Sequence, residues 1–345
     1  MSISISKQKF LSFFIFFILT ILFTNCSDDD NPPVNPNEKK TYIPDDNFEQ
    51  KLIDLGYDDV LDDYVVTKNI KNIEQLILYE LEIKDLTGIE EFVSLKEFDC
   101  RFNQLTSIDL SKNTSLTEFV CWGNQFTSLD ISNNTSLQLL GCDNNQLKNI
   151  DVSNNTSLSY LTCNNNQLTS LDISNNTSLT ILGCENNQLK NIDVSNNTSL
   201  GIIFCNKNQL TGLDVSKNTL LTELWCYENQ LTSLDVSYNT SLTDLFCSSN
   251  QLTSLDVSNN TSLQFLGCDN NQLKNIDVSN NTSLTGLYCS SNQLTSLDVS
   301  NNTSLIFLEC NSNQITCIKV NDTQFNNIPN DWTKDDSSTW SLDCD

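Results

Sequence analysis

From Leu95 onward, apolar residues recur in a fixed order every 21 residues. The copies begin at Leu95, Leu116, Leu137 and so on to Leu305, eleven in tandem, each close to LxxLxCxxNQLxxLDVSxNTS. The stretches 137–157 and 263–283 differ at one position. Within LxxLxC the second leucine and the cysteine alternate with a variable residue, the two-residue period of a strand with one face inward. A short coil of this kind cannot bury its own apolar side, so successive coils must stack into a solenoid around a shared core. Stacked strands lie about 4.8 Å apart, so eleven coils extend on the order of 50 Å. The predicted fold class is an α/β-type solenoid, mostly β, over residues 73–316. Residues 73–94 form an earlier, irregular copy of 22 residues. Solenoid ends need covers. Pro44-Asp45-Asp46 followed by Phe48, Leu52, Ile53 and Leu55 predicts a capped amphipathic helix within an N-terminal cap at 42–72, with Gly56 as its stop. Residues 317–345 break the repeat, add Trp332 and Trp340, and form a C-terminal cap.

The motif resembles the leucine-rich repeat, LxxLxLxxNxL, with cysteine in the third apolar slot. The copy at 73–94 resembles the internalin type, and the longer BspA-like repeats do not match. The resemblance implies a curved solenoid with a parallel sheet on its concave side. It also implies protein ligands and an adhesion role. A fold alone does not assign a function.

Two residue columns inside the repeat are structural. Asparagines from Asn103 to Asn313 recur once per coil. Each carries a donor and an acceptor, enough to satisfy backbone groups of its own coil and the next. Eleven cysteines, Cys100 to Cys310, share the same period. In-register side chains stand about 4.8 Å apart, against the 3.8 Å or so between the Cβ atoms of a disulfide. One column cannot place four ligands around a zinc ion. These thiols are expected to be free and buried. Cys317 and Cys344 fall off the period, and an exported protein can join them, so they are expected to close the C-terminal cap.

Other columns face solvent. Aspartates from Asp109 to Asp298 repeat once per coil. Stacked like charges repel. Nearby serine and asparagine groups offset that, or a cation does. Calcium is the one candidate ion, because it favours carboxylate oxygens, but the EF-hand spacing is absent. No other cofactor is expected. The Asn-Thr-Ser run reads as turn chemistry.

The informative column is the outward position between the second leucine and the cysteine, because it varies. It carries Phe204, Trp225 and Phe246 on consecutive coils, and Tyr288 further on. Tyr227 and Phe265 lie in adjacent columns. Exposed aromatic patches mark binding sites. These six residues form the candidate ligand-binding stripe, with a protein as the first ligand class and a glycan as the second. Glu223 and Asp244 sit on adjacent coils beside Trp225, at a spacing used by retaining glycosidases. An open sheet supplies no water-free pocket to raise a carboxyl pKa, so the chain is expected not to be an enzyme.

Composition narrows the class further. The chain of 345 residues carries a net charge of −26 and no histidine. That balance speaks against nucleic acid as a partner and against docking on anionic lipid through a basic patch. The missing histidine removes the commonest general base. At the N-terminus, Lys7 and Lys9 precede an unbroken run, 10–23, of mainly apolar residues. Fourteen helical residues span about 21 Å, short of a bilayer core, so residues 1–25 read as a signal peptide. Phe23-Thr24-Asn25-Cys26 resembles a bacterial lipobox, which implies lipidation at Cys26. Residues 26–41 are acidic and rich in proline and asparagine, a tether by composition. An acidic run directly after the cysteine resembles the surface-export signal of Bacteroidetes lipoproteins. The expected location is therefore the outer membrane, held by the lipid anchor alone and exposed at the cell surface.

Overall fold

The computed structural model describes residues 38–344. The expected signal segment 1–25, Cys26 and the tether through residue 37 lie outside the described residues. Thirteen parallel strands form one sheet, from Gln75–Ile77 at one end to Trp332–Thr333 at the other. Each repeat contributes a three-residue strand, and equivalent residues pair: Leu224 lies opposite Ile203 on one side and Leu245 on the other. The strands are short because only LxxLxC alternates. The middle leucine and the cysteine point inward and are fully buried, while the flanking residues face outward. Leu221, Leu224, Cys226, Leu231 and Val236 make one layer of the core, and the same layer repeats up the stack. Each buried leucine contributes roughly 2 kcal/mol. The parallel, mostly β solenoid follows from the 21-residue period.

The asparagine ladder works between coils, in one direction. Asn208 Nδ2 donates to the carbonyls of Cys205 in its own coil and Cys184 in the preceding one, at 3.1 and 2.9 Å. Its Oδ1 accepts the Leu189 N–H, again from the preceding coil. The bonds thus run backward from each asparagine, not to the next coil as expected. The residue before each ladder asparagine is left-handed, with φ between 51° and 65°. Only one of these residues, Gly123, is a glycine.

A second asparagine ladder was not read from the sequence. Asn113 to Asn302, the asparagine of each Asn-Thr turn, is buried once per coil. Asn218 Nδ2 donates to Val194 and Asn197 carbonyls of the preceding coil, at 3.0 and 2.9 Å. Its signal was present: in Ser-Lys-Asn and Ser-Tyr-Asn copies the first asparagine is replaced by Lys217 or Tyr238, while Asn218 and Asn239 remain.

The eleven in-register cysteines are free thiols, all buried. Burial pushes the Cys205 thiol up to about 12, so these groups stay protonated. Cys142 and Cys163 donate through sulfur to the Thr162 and Gly183 carbonyls of the following coil.

The front cap contains the helix Asp46–Asp54. Asp45 caps it, accepting from the Asn47 and Phe48 amides. Its second oxygen takes the Lys84 and Asp85 amides, which fastens the cap to the first coil. Gly56 follows the helix with φ 77°. The cap is more than a helix: Lys40–Tyr42 and Tyr64–Val66 pair as an antiparallel ribbon. Lys40 and Thr41, assigned to the tether by composition, are therefore part of the folded cap. The buried carboxylate of Glu49 accepts the amides of Asp62, Asp63 and Tyr64 and so orders the acidic loop 58–63. At the back, Trp332–Thr333 pairs with Phe307–Glu309 and ends the main sheet. Leu297–Asp298, Cys317–Lys319 and Thr339–Ser341 form a second, parallel sheet. Cys317 and Cys344 are joined by a disulfide that ties this sheet to the end of the cap. The helix Asp322–Asn326 takes over the second ladder, with Gln324 Nε2 on the Val299 and Asn302 carbonyls.

Candidate binding surface on the parallel sheet

Three outward columns cross the sheet. The first strand position carries Glu223, Asp244 and Phe265, the third carries Phe204, Trp225 and Phe246, and the position after the cysteine carries Asn206 and Tyr227. Strand spacing brings rings of one column into contact. The Phe204 and Trp225 ring centroids are 4.7 Å apart, and Trp225 and Phe246 meet edge-to-face at 5.5 Å. Phe265 and Tyr288 flank Gly286: a methyl group there would lie 2.8 Å from the first ring and 3.3 Å from the second.

These rings lie along the sheet rather than standing off it. Phe246 covers Gly267, where an added methyl would meet the ring at 2.7 Å. Phe204 is only 7% exposed, and Trp225, Tyr227, Phe246, Phe265 and Tyr288 are half-buried. The sequence pattern placed all six outward; it did not show that bare backbone beside them invites the rings to lie down. Glu223 and Asp244 occupy directly paired positions on adjacent strands beside this stripe. Asp244 accepts the Thr243 hydroxyl at 2.7 Å.

A second aromatic group lies toward the front of the sheet and was missed, because only Tyr227 was taken from the column after the cysteine. Arg101 stacks between Tyr79 and Trp122, 5.4 Å from each ring, and grips Asp99 through two nitrogens. Tyr79 and Phe102 are 44% and 46% exposed and meet edge-to-face at 5.6 Å. Between the two aromatic groups lies a buried carboxyl. Asp143 accepts the Thr162 hydroxyl at 2.5 Å and the Asn164 amide at 2.9 Å. Burial raises its pKa to about 6 against those hydrogen bonds.

On the turn side, each aspartate from Asp109 to Asp298 accepts the amide of the serine two residues on, at 2.9 or 3.0 Å. Hydrogen bonds from that serine hold carboxyls such as Asp193 and Asp235 below the ordinary range, and outweigh repulsion from the neighbouring aspartates. Among the described residues, no group of three or more cysteine, aspartate or glutamate side chains is placed to hold a metal ion. No helix among them is long and apolar enough to cross a membrane.

The family model for the LVIVD repeat matches residues 118–142 and 159–186. Internalin J of Listeria monocytogenes is 39% identical over 73 residues, which cover 21% of this chain and 8% of that protein. The chain thus spans a small part of that curated relative's length. Among solved structures, the functional domain of InlJ from Listeria monocytogenes, which includes a cysteine ladder, superposes with a TM-score of 0.76 at 36% identity, covering 81% of this chain and 68% of that one. The internalin InlF from the same species superposes with a TM-score of 0.69 at 23% identity, covering 86% and 96%.

Proposed function

Because the chain belongs to the internalin-like leucine-rich-repeat proteins, we propose that it is a non-enzymatic adhesion module that binds a protein through the outer face of its parallel sheet. The observation that carries this reading is the continuous contact of Phe204, Trp225 and Phe246 across three coils. Large aromatic side chains held rigid by their neighbours lose little entropy on binding and anchor protein interfaces. The surface is open, so it suits a large partner better than a small substrate. In this reading Tyr227, Phe265 and Tyr288 extend the contact around the central rings. Residues 1–25 direct export, Cys26 carries the lipid, and the tether that follows holds the repeat domain outside the outer membrane.

Two measurements test this. Trp225→Ala is expected to abolish capture of the partner by the purified protein while leaving it folded by circular dichroism, with an unfolding midpoint lowered by the loss of its contacts with Phe204 and Phe246. Retained capture would refute the aromatic stripe as the binding site. Labelling of cells with radioactive fatty acid is expected to mark the wild-type chain and not Cys26→Ser. Equal labelling would remove the lipid anchor.

A further inference from the structure

The character of the sheet around Trp225 says more about its partner, on the premise that this face is the binding face. Four carboxylates flank the rings: Glu223 and Asp244 in the column on one side, Glu185 and Asp269 in the column on the other. Asp244 takes its hydrogen bond from Thr243, Glu185 from Asn206 Nδ2, and Asp269 from Ser248 and Asn270. All of these donors are uncharged. Lys207 lies 5.9 Å from the centre of the Tyr227 ring, a cation at the edge of the patch. Carboxylates on both sides of aromatic faces, in a chain of net charge −26, make a surface complementary to a positive partner.

A second observation is independent of charge. Asn206 is fully buried in the outward column one coil before Tyr227, and its Oδ1 has no hydrogen-bond partner. The indole N–H of Trp225, on the next coil, has none either. A buried polar group without a partner is costly, and both of these belong to residues of the stripe itself, so a ligand that parts the rings covering them can satisfy both. A peptide does so, with N–H groups for Asn206 and a carbonyl for Trp225. A guanidinium matches the remainder: its flat face stacks on an aromatic ring while its edge reaches a carboxylate.

We infer that this part of the sheet receives a basic, extended protein segment, with arginine or lysine side chains laid between the Trp225 ring and the carboxylates of Glu223 and Asp244. The segment crosses the strands from Phe204 toward Phe246. Three strands lie about 10 Å from first to last, the length of about three extended residues. A short motif with two or three cationic residues therefore suffices.

The test uses an alternating arginine–serine hexapeptide, the same peptide with neutral citrulline in place of arginine, and cellohexaose as a neutral glycan. Binding to the purified protein is measured at about 0.15 M salt, where distant charges are screened. The arginine peptide is expected to bind, and citrulline to weaken it about tenfold or more. The double variant Glu223→Gln/Asp244→Asn is expected to weaken it to the same degree. Asp172→Asn/Asp193→Asn removes equal charge from the turn column and is expected to leave binding within about twofold. Circular dichroism confirms that each variant is folded. Equal loss in both double variants would reduce the effect to net charge and overturn the inference. So would failure of the arginine peptide to bind, or binding of cellohexaose, or of the citrulline peptide as tightly as the arginine peptide, that Trp225→Ala abolishes. In that last case the sheet face remains the binding face and only its preference for cations falls. Ligand binding indifferent to Trp225→Ala would remove the binding-face reading as well.

Discussion

The two asparagine ladders look alike and are expected to differ in strength. Asn208→Ala leaves the Leu189 amide, fully buried, with no acceptor. An orphaned buried N–H costs about 1–3 kcal/mol. The Cys184 and Cys205 carbonyls each lose one donor but keep another, from Asn187 and Asn229. Two lost bonds of that kind cost about 1 kcal/mol each, which brings the total to about 3–5 kcal/mol. Asn218→Ala orphans no amide. The Val194 and Asn197 carbonyls lose one donor each but keep the Asn197 and Leu200 amides. The substitution also removes an Asn218 oxygen that is buried without a partner. Its net cost is about 1 kcal/mol. Both variants create the same small cavity, so the difference isolates the hydrogen bonds. Urea unfolding followed by far-UV circular dichroism, with the disulfide intact, measures both. If Asn218→Ala proves as costly as Asn208→Ala, counting orphaned groups is the wrong account of the ladder.

Three further outcomes follow from the described geometry. The Asp143 carboxyl has a folded pKa of about 6, above the unfolded value near 3.9. The native state therefore holds this proton more tightly, and stability falls as pH rises from about 4 through 6. Two units correspond to roughly 3 kcal/mol, and Asp143→Asn is expected to flatten unfolding free energy over that window, an outcome refuted by an unchanged pH profile. Ser249 has φ 54°, so Ser249→Gly is expected to stabilise by about 0.5–1 kcal/mol, seen as a higher unfolding midpoint. Breaking the Cys317–Cys344 link, which spans 27 residues, removes about 3.5 kcal/mol of loop constraint. Hydrogen exchange in Cys317→Ser is expected to quicken in Cys317–Lys319 and Thr339–Ser341 and stay slow at Leu224, since a solenoid couples mainly nearest neighbours.

The solenoid was legible because a strict period leaves no freedom: one leucine out of step would carry its whole coil out of the core. The cysteine column was readable for the same reason, since identical side chains one strand apart cannot converge. What escaped the sequence depends on contacts between unlike residues. Nothing in the order of Glu49 and Asp62 says that a helix carboxylate will hold a distant loop. Lys40 and Thr41 look like tether until Val65 and Val66 pair with them. The candidate surface divides in the same way. The outward direction of Trp225 came from alternation, but the burial of Phe204 came from a neighbouring ring. Trp122 and Asp143 went unremarked because only Tyr227 was taken from their column, although its residues vary as much as those of the column that carries Trp225.

Near-identity between coils has a cost in uniqueness. Residues 137–157 and 263–283 differ only at Leu139 and Phe265, so a stack displaced by whole coils would satisfy nearly the same contacts. The repeats specify how neighbours pack but not where the stack begins or ends. That choice falls to parts that occur once: the 22-residue first coil, the oxygen of Asp45 on Lys84 and Asp85, and Gln324 in place of an asparagine at the far end. The caps thus act as reading-frame markers for an otherwise degenerate lattice. A chain deprived of them is expected to leave its end coils uncovered, and to stack on or exchange coils with neighbouring chains.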